Sequence, residues 1–138
     1  MNQTKVVVDT DVLSALMRGN PSVFRRAQDY LAEHSRLAIS MITRYEVLRG
    51  LKSKGAVRQE REFERFSAIS IVVLPITEQV IVRAATIYAD LSNRGELIPD
   101  ADVLIAATAL VDERHLVTNN ERHFRRTTGL TVENWLNP

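Results

Sequence analysis

The chain has 138 residues, 45% hydrophobic and 25% charged, with a formal net charge of +1. That suits a single globular domain, 1–138, able to build its own core. The absence of cysteine excludes disulfides and thiolate metal sites and fits a reducing, cytoplasmic setting. No apolar run is long enough to span a membrane, and the opening MNQTKVVVDTD has no signal-peptide core.

Lys5 to Asp9 reads as a strand, because Val6, Val7 and Val8 are three β-branched residues in succession. Thr10 to Arg18 follows as a short helix, which Gly19-Asn20-Pro21 stops. Ser22 to His34 places Val23, Ala27, Tyr30 and Leu31 on one helical face. Leu37 to Ser40 is a second apolar strand, and Ile42 to Gly50 a third helix. Ala56 to Ala68 is a charged helix with sparse apolar positions at Val57, Phe63 and Phe66. Such a pattern predicts a helix that hangs off the body or packs on a partner.

Ile69 to Leu74 reads as a strand ended by Pro75, and Thr77 as the cap of a helix reaching Arg94. Asp100 to Glu113 is a helix so apolar that it must lie between layers. His115 to Thr118 is a strand, Asn119-Asn120 a turn, Glu121 to Arg126 a short helix and Leu130 to Glu133 a last strand before Trp135. Strands alternating with helices predict an α/β fold: a central parallel sheet with helices on both faces. Right-handed crossovers then bring every strand-to-helix junction to one edge of that sheet.

Four chemistry-bearing residues fall at those junctions: Asp9, Glu46, Asp102 and Asn120. Carboxylates gathered in one cleft repel unless a cation joins them. Oxygen ligands suit Mg²⁺, with Mn²⁺ as a substitute, and an ion so held activates water for attack on phosphorus. Plainer readings stand beside this one. Asp9 could cap the first helix, although Asp11 is better placed to do so; Asp100 is likewise a better cap than Asp102. Glu46 could pair with Arg44 or Arg49, and Asn120 could be an ordinary turn residue. Thr10, Ser40, Thr43 and Thr118 could support the acids or bond locally. His34, His115 and His123 show no metal-ligand spacing and read as surface or junction residues.

Basic residues cluster between Arg44 and Arg65, and again in Arg114, His115, Arg122, His123, Arg125 and Arg126. Charge alone leaves a phosphate-binding surface and a solvated helix face equally open.

The segments VVVDTDVL, ISMITRYEVLRG, IPDADVLIAATAL and LVTNNERHF, in this order, resemble the PIN-domain ribonucleases, and most closely the VapC-like toxins of bacterial type II toxin–antitoxin pairs. The resemblance implies a PIN-like α/β/α sandwich and Mg²⁺- or Mn²⁺-dependent endoribonuclease activity. It places the acids of the site on Asp9, Glu46 and Asp102, the fourth position on Asn120, and supporting hydroxyls on Thr10 and Thr118. Arg44, Arg49 and Lys52 would guide RNA. The ending FRRTTGLTVENW is similar to a subgroup that cuts tRNA in the anticodon loop. The resemblance also implies a homodimer and a VapB-type antitoxin, with the charged helix 56–68 in the region that contacts it. Two positions depart from the commonest family pattern: Asp11 adds negative charge near the site, and Asn120 removes a formal charge from the fourth position and leaves the occupancy of a second metal open.

Two other readings compete. VVVDTDVL also resembles the first motif of haloacid-dehalogenase-like phosphatases, in which Asp9 would be a covalent nucleophile. A catalytically silent PIN scaffold that binds RNA or a partner is the non-enzymatic alternative.

Overall fold

Val6–Val8 form β1, all three side chains buried. Alternation along the strand sends Val6 and Val8 into one core and Val7 into another, so β1 is covered on both faces. The structure, a computed structural model, describes residues 4–136. Around β1 lie β2 (Leu37–Ser40), β3 (Ile71–Leu74), β4 (His115–Val117) and β5 (Val132–Glu133). Their order is β3-β2-β1-β4-β5, and every neighbouring pair is parallel. The predicted parallel sheet is therefore the sheet observed.

Helices α1 (Thr10–Met17), α2 (Pro21–His34) and α4 (Val57–Ser70) cover one face. Helices α5 (Glu78–Asn93) and α6 (Asp100–Val111) cover the other. Helix α3 (Met41–Ser53) lies at the rim, touching the second core through Ile42 and the first through Val47, Leu48 and Leu51. Helix α7 (Glu121–Phe124) is one turn, anchored by the fully buried Phe124.

Local chemistry sets most boundaries. Asn20 Oδ1 accepts from the amides of Ser22 and Val23, ahead of Pro21 at the first helical position. Ser40 caps α3 by accepting from the Ile42 amide, and Thr77 caps α5 by accepting from the Val80 amide. Gly95, with φ of +69°, ends the run after α5 in a conformation that favours glycine.

The structure corrects four expectations. Helix α4 does not hang free, because Phe63 is fully buried in the first core and Phe66 packs against it. Ile69 and Ser70 complete α4 instead of opening β3, since β3 pairs from Ile71 onward, opposite Leu37 where β2 begins. Asp11 does not cap α1: Asp9 stands at the N-cap, with its carboxylate accepting from the Thr10 amide. Asp100 does not cap α6 either, because Pro99 holds that place and no side chain bonds the helix end.

Candidate active site

Between β1 and β4 the connections diverge, those from β1 running toward β2 and β3 and those from β4 toward β5. Such a switch point opens a crevice beyond the carboxyl ends of the strands. Asp9 follows β1 and Thr118 follows β4, and the two strands are locked in register there by the Asp9 amide bonding to Val117 O at 2.8 Å.

Asp9 is 6% exposed. Its Oδ1 accepts from the Thr10 amide and its Oδ2 from the Thr118 hydroxyl, both at 2.8 Å. Burial, and next the charge of Asp11, push its carboxyl up from 3.8 to about 7; Asp102 adds to the effect and the two hydrogen bonds oppose it. Asp11 is raised too, chiefly by burial. Its Oδ2 accepts from the Asn119 amide at 3.1 Å, while its Oδ1 is buried without a partner among the described residues.

Glu46 reaches the same edge from α3. Its Oε1 accepts from the Thr10 hydroxyl at 2.6 Å, and the Thr10 oxygen, 3.1 Å from the Thr43 hydroxyl, is left to accept from it. The Thr10 side chain thus ties α1 to α3 and aims Glu46. On the ribonuclease expectation drawn from the sequence, Thr10→Val, which keeps the shape and removes the hydroxyl, should slow RNA cleavage about 10–100-fold with melting little changed. Steady-state cleavage rates beside a thermal melt read both.

Asp102 and Asn120 come together through a residue that sequence reasoning set aside. His123 Nδ1 lies 3.0 Å from Asp102 Oδ2 and 2.8 Å from Asn120 Nδ2. The signal was present: Asn120 and His123 are i and i+3, one helical turn apart on one face. Asp11 reads from the sequence as a helix cap, whereas its bond to Asn119 spans more than a hundred residues and has no local signature.

The predicted RNA-guiding residues divide. Arg44 bonds Glu64 through both terminal nitrogens, at 2.8 and 3.1 Å, and Lys52 bonds Glu60 at 2.7 Å, so both bridge α3 to α4. Arg49 is the one beside the acids, 4.0 Å from Glu46 Oε2 and stacked over Tyr45. The second basic group is split: Arg114 and His115 lie at the start of β4, whereas Arg122, His123, Arg125 and Arg126 lie beyond its other end.

The donor set suits a hard cation. Asp9 and Asp11 both feel the charge of Asp102, and among the described residues a buried carboxylate oxygen of Asp11 lacks a hydrogen-bond partner. Among the described residues, no three His, Cys, Asp or Glu side chains form a ready-made cage for an ion. An ion here would rest on few carboxylates and keep much of its water, as Mg²⁺ does.

Comparison with known proteins agrees with this architecture. The PIN domain family model matches residues 6–130, and the chain belongs to the PIN-domain family. Ribonuclease VapC1 of Methanocaldococcus jannaschii is 36% identical over 90% of this chain and 82% of its own length. The tRNA(fMet)-specific endonuclease VapC of Salmonella typhimurium is 30% identical over 95% of this chain and 98% of its own. The crystal structure of DNA-bound VapBC from Salmonella typhimurium superposes with a TM-score of 0.85 at 29% identity, covering 96% of this chain and 99% of the other. Within the family, then, the chain is VapC-like. The match favours the PIN reading over the phosphatase reading of VVVDTDVL.

Proposed function

We propose that this chain is the ribonuclease toxin of a VapBC-type toxin–antitoxin pair, hydrolysing RNA phosphodiester bonds with the help of Mg²⁺ or Mn²⁺. The observation that carries the reading is the buried, acid-flanked carboxylate of Asp9 at the switch point of the sheet. Asp9 and Asp102 would hold the ion, with Glu46 completing its surroundings across the cleft. When bound, the ion supplies Lewis acidity, lowering the pKa of a coordinated water and stabilising the leaving oxygen. Thr118 keeps Asp9 oriented, Thr10 keeps Glu46 oriented, and Asn120, beside His123, would help to align a water. Arg49, exposed beside Glu46, would meet the RNA backbone; Arg44 and Lys52 flank it and can exchange their carboxylate partners for phosphate.

The tRNA(fMet) specificity named for the Salmonella typhimurium relative makes tRNA the first substrate to try, and the resemblance of FRRTTGLTVENW points to its anticodon loop. The VapBC structure supports a VapB-type antitoxin as partner, and the exposed Val57 and Ile69 on α4 offer it apolar contacts. Ile81, Val82 and Tyr88 leave an apolar stretch exposed on α5, which supports a homodimer.

The test is cleavage of tRNA and of an unstructured RNA by antitoxin-free protein, with Mg²⁺, Mn²⁺ or EDTA. Cleavage is expected with either metal and not with EDTA. Asp102→Asn should lower it more than about 100-fold, beyond the usual cost of losing an outer partner of a metal ligand. Undiminished cleavage in EDTA would overturn the metal reading. Mn²⁺ binding without cleavage of any RNA would leave the silent scaffold in its place.

A further inference from the structure

We propose that His123 is a positioning residue, whose Nδ1 sets the Asp102 carboxylate and the Asn120 amide as one unit. The inference rests on the metal-dependent reading above and adds to it a residue outside the acids.

A single ring nitrogen lies within hydrogen-bond distance of two groups, Asp102 Oδ2 at 3.0 Å and Asn120 Nδ2 at 2.8 Å. That nitrogen carries either one hydrogen or one lone pair. A carboxylate only accepts, so a bond to Asp102 requires Nδ1–H. Asn120 must then turn its amide oxygen toward the same hydrogen. If Nδ1 instead accepts from the Asn120 amide, its lone pair faces Asp102, and that carboxylate must swing away. An amide can present either atom by a half-turn of its last bond, so Asn120 follows whichever choice Asp102 makes. The orientations of Asp102 and Asn120 are therefore coupled through one imidazole.

The surroundings make this coupling relevant to the site. Thr118 Oγ1 donates to Asp9 Oδ2 and accepts from the Asn120 backbone N–H at 3.0 Å. Asp9, Thr118, Asn120, His123 and Asp102 thus form a continuous series linking the acid after β1 to the acid on α6. Phe124, fully buried next to His123, fixes the backbone that carries the ring. Outer partners of metal ligands act by this kind of orientation.

The experiment is a Mn²⁺ titration of the full chain, followed by the EPR signal of the free ion, for wild type, His123→Ala, His123→Asn and Asp102→Asn. His123→Asn retains a side-chain nitrogen close to the place of Nδ1. His123→Ala is expected to weaken Mn²⁺ binding about 10–100-fold with an unchanged circular dichroism spectrum, and His123→Asn to recover most of that loss. RNA cleavage by His123→Ala should lose kcat with little change in KM. Wild-type Mn²⁺ affinity in His123→Ala would overturn the proposal. So would nitrogen coupling to bound Mn²⁺ in pulsed EPR, which would make His123 a direct ligand. If Asp102→Asn loses Mn²⁺ while His123→Ala retains it, only this inference fails; if wild type binds none, the metal reading fails with it.

Discussion

Asp9→Asn should abolish RNA cleavage and, at the same time, make the metal-free protein more stable at neutral pH. In the folded chain, burial and the neighbouring Asp11 hold the Asp9 proton up to about 7, against 3.8 for the ordinary group. The fold therefore binds this proton more tightly than the unfolded chain does. Stability from that preference is fully present below pH 3.8 and is lost as pH rises through about 7. Above that, the ionised carboxylate opposes folding by at most about 4 kcal/mol. Asn keeps the shape and an acceptor for the Thr10 amide while removing the charge. Its melting temperature should exceed that of wild type by several degrees at pH 8, and the two should converge below pH 4. Mn²⁺ should raise the melting temperature of wild type and not of the variant. Parallel pH profiles for the two proteins would remove this account of Asp9. The same burial that makes the group costly in the apo fold makes it a strong seat for a cation.

Phe63→Ala should cost about 3–5 kcal/mol, the range for deleting a fully buried aromatic side chain. Total stabilities of ordinary domains are about 5–15 kcal/mol, so the urea midpoint should fall sharply. Phe63 is 0% exposed and shares a core with Val6, Val8, Leu37 and Ile39 of the central strands. A change under about 0.5 kcal/mol, the usual size for a surface substitution, would mean that α4 is only loosely attached.

Phe63 also shows where reading the chain alone falls short. Val57, Phe63 and Phe66 among arginines and glutamates are a weak periodic signal, and 56–68 reads as a helix hanging off the body or packing on a partner. Its single deep contact is enough to seat it, because the charged remainder makes its own pairs, Arg44 with Glu64 and Lys52 with Glu60, back to α3. Ile69 and Ser70 misled in the opposite sense. Ile69 adds a β-branched residue ahead of Ile71, Val72 and Val73, but a strand exists only where a neighbour can pair with it. The neighbour, β2, begins at Leu37, which faces Ile71. Helix α3 passes Gly50 for a similar reason: that glycine has a helical conformation, and the positive φ that favours glycine comes at Gly55.

The acids were legible because each breaks a strong local pattern. Asp9 ends a buried valine run, and Asp102 stands in the first turn of an apolar helix. An ionised group beside so much apolar surface needs a partner or a cation. Nothing local told which partner each would take.

By itself, the sequence determined the order of elements, the parallel sheet and the junctions that carry Asp9, Glu46, Asp102 and Asn120. Alternating strand and helix periods, side-chain caps and the rule for crossovers are properties of short stretches, and short stretches are readable. Only the tertiary structure decided that Asp9 rather than Asp11 holds the helix end, that Thr10 secures Glu46, and that His123 stands between Asp102 and Asn120. Those outcomes depend on distances between side chains far apart in the chain, set by the register of β1 against β4 and the packing of α3 and α6 around them.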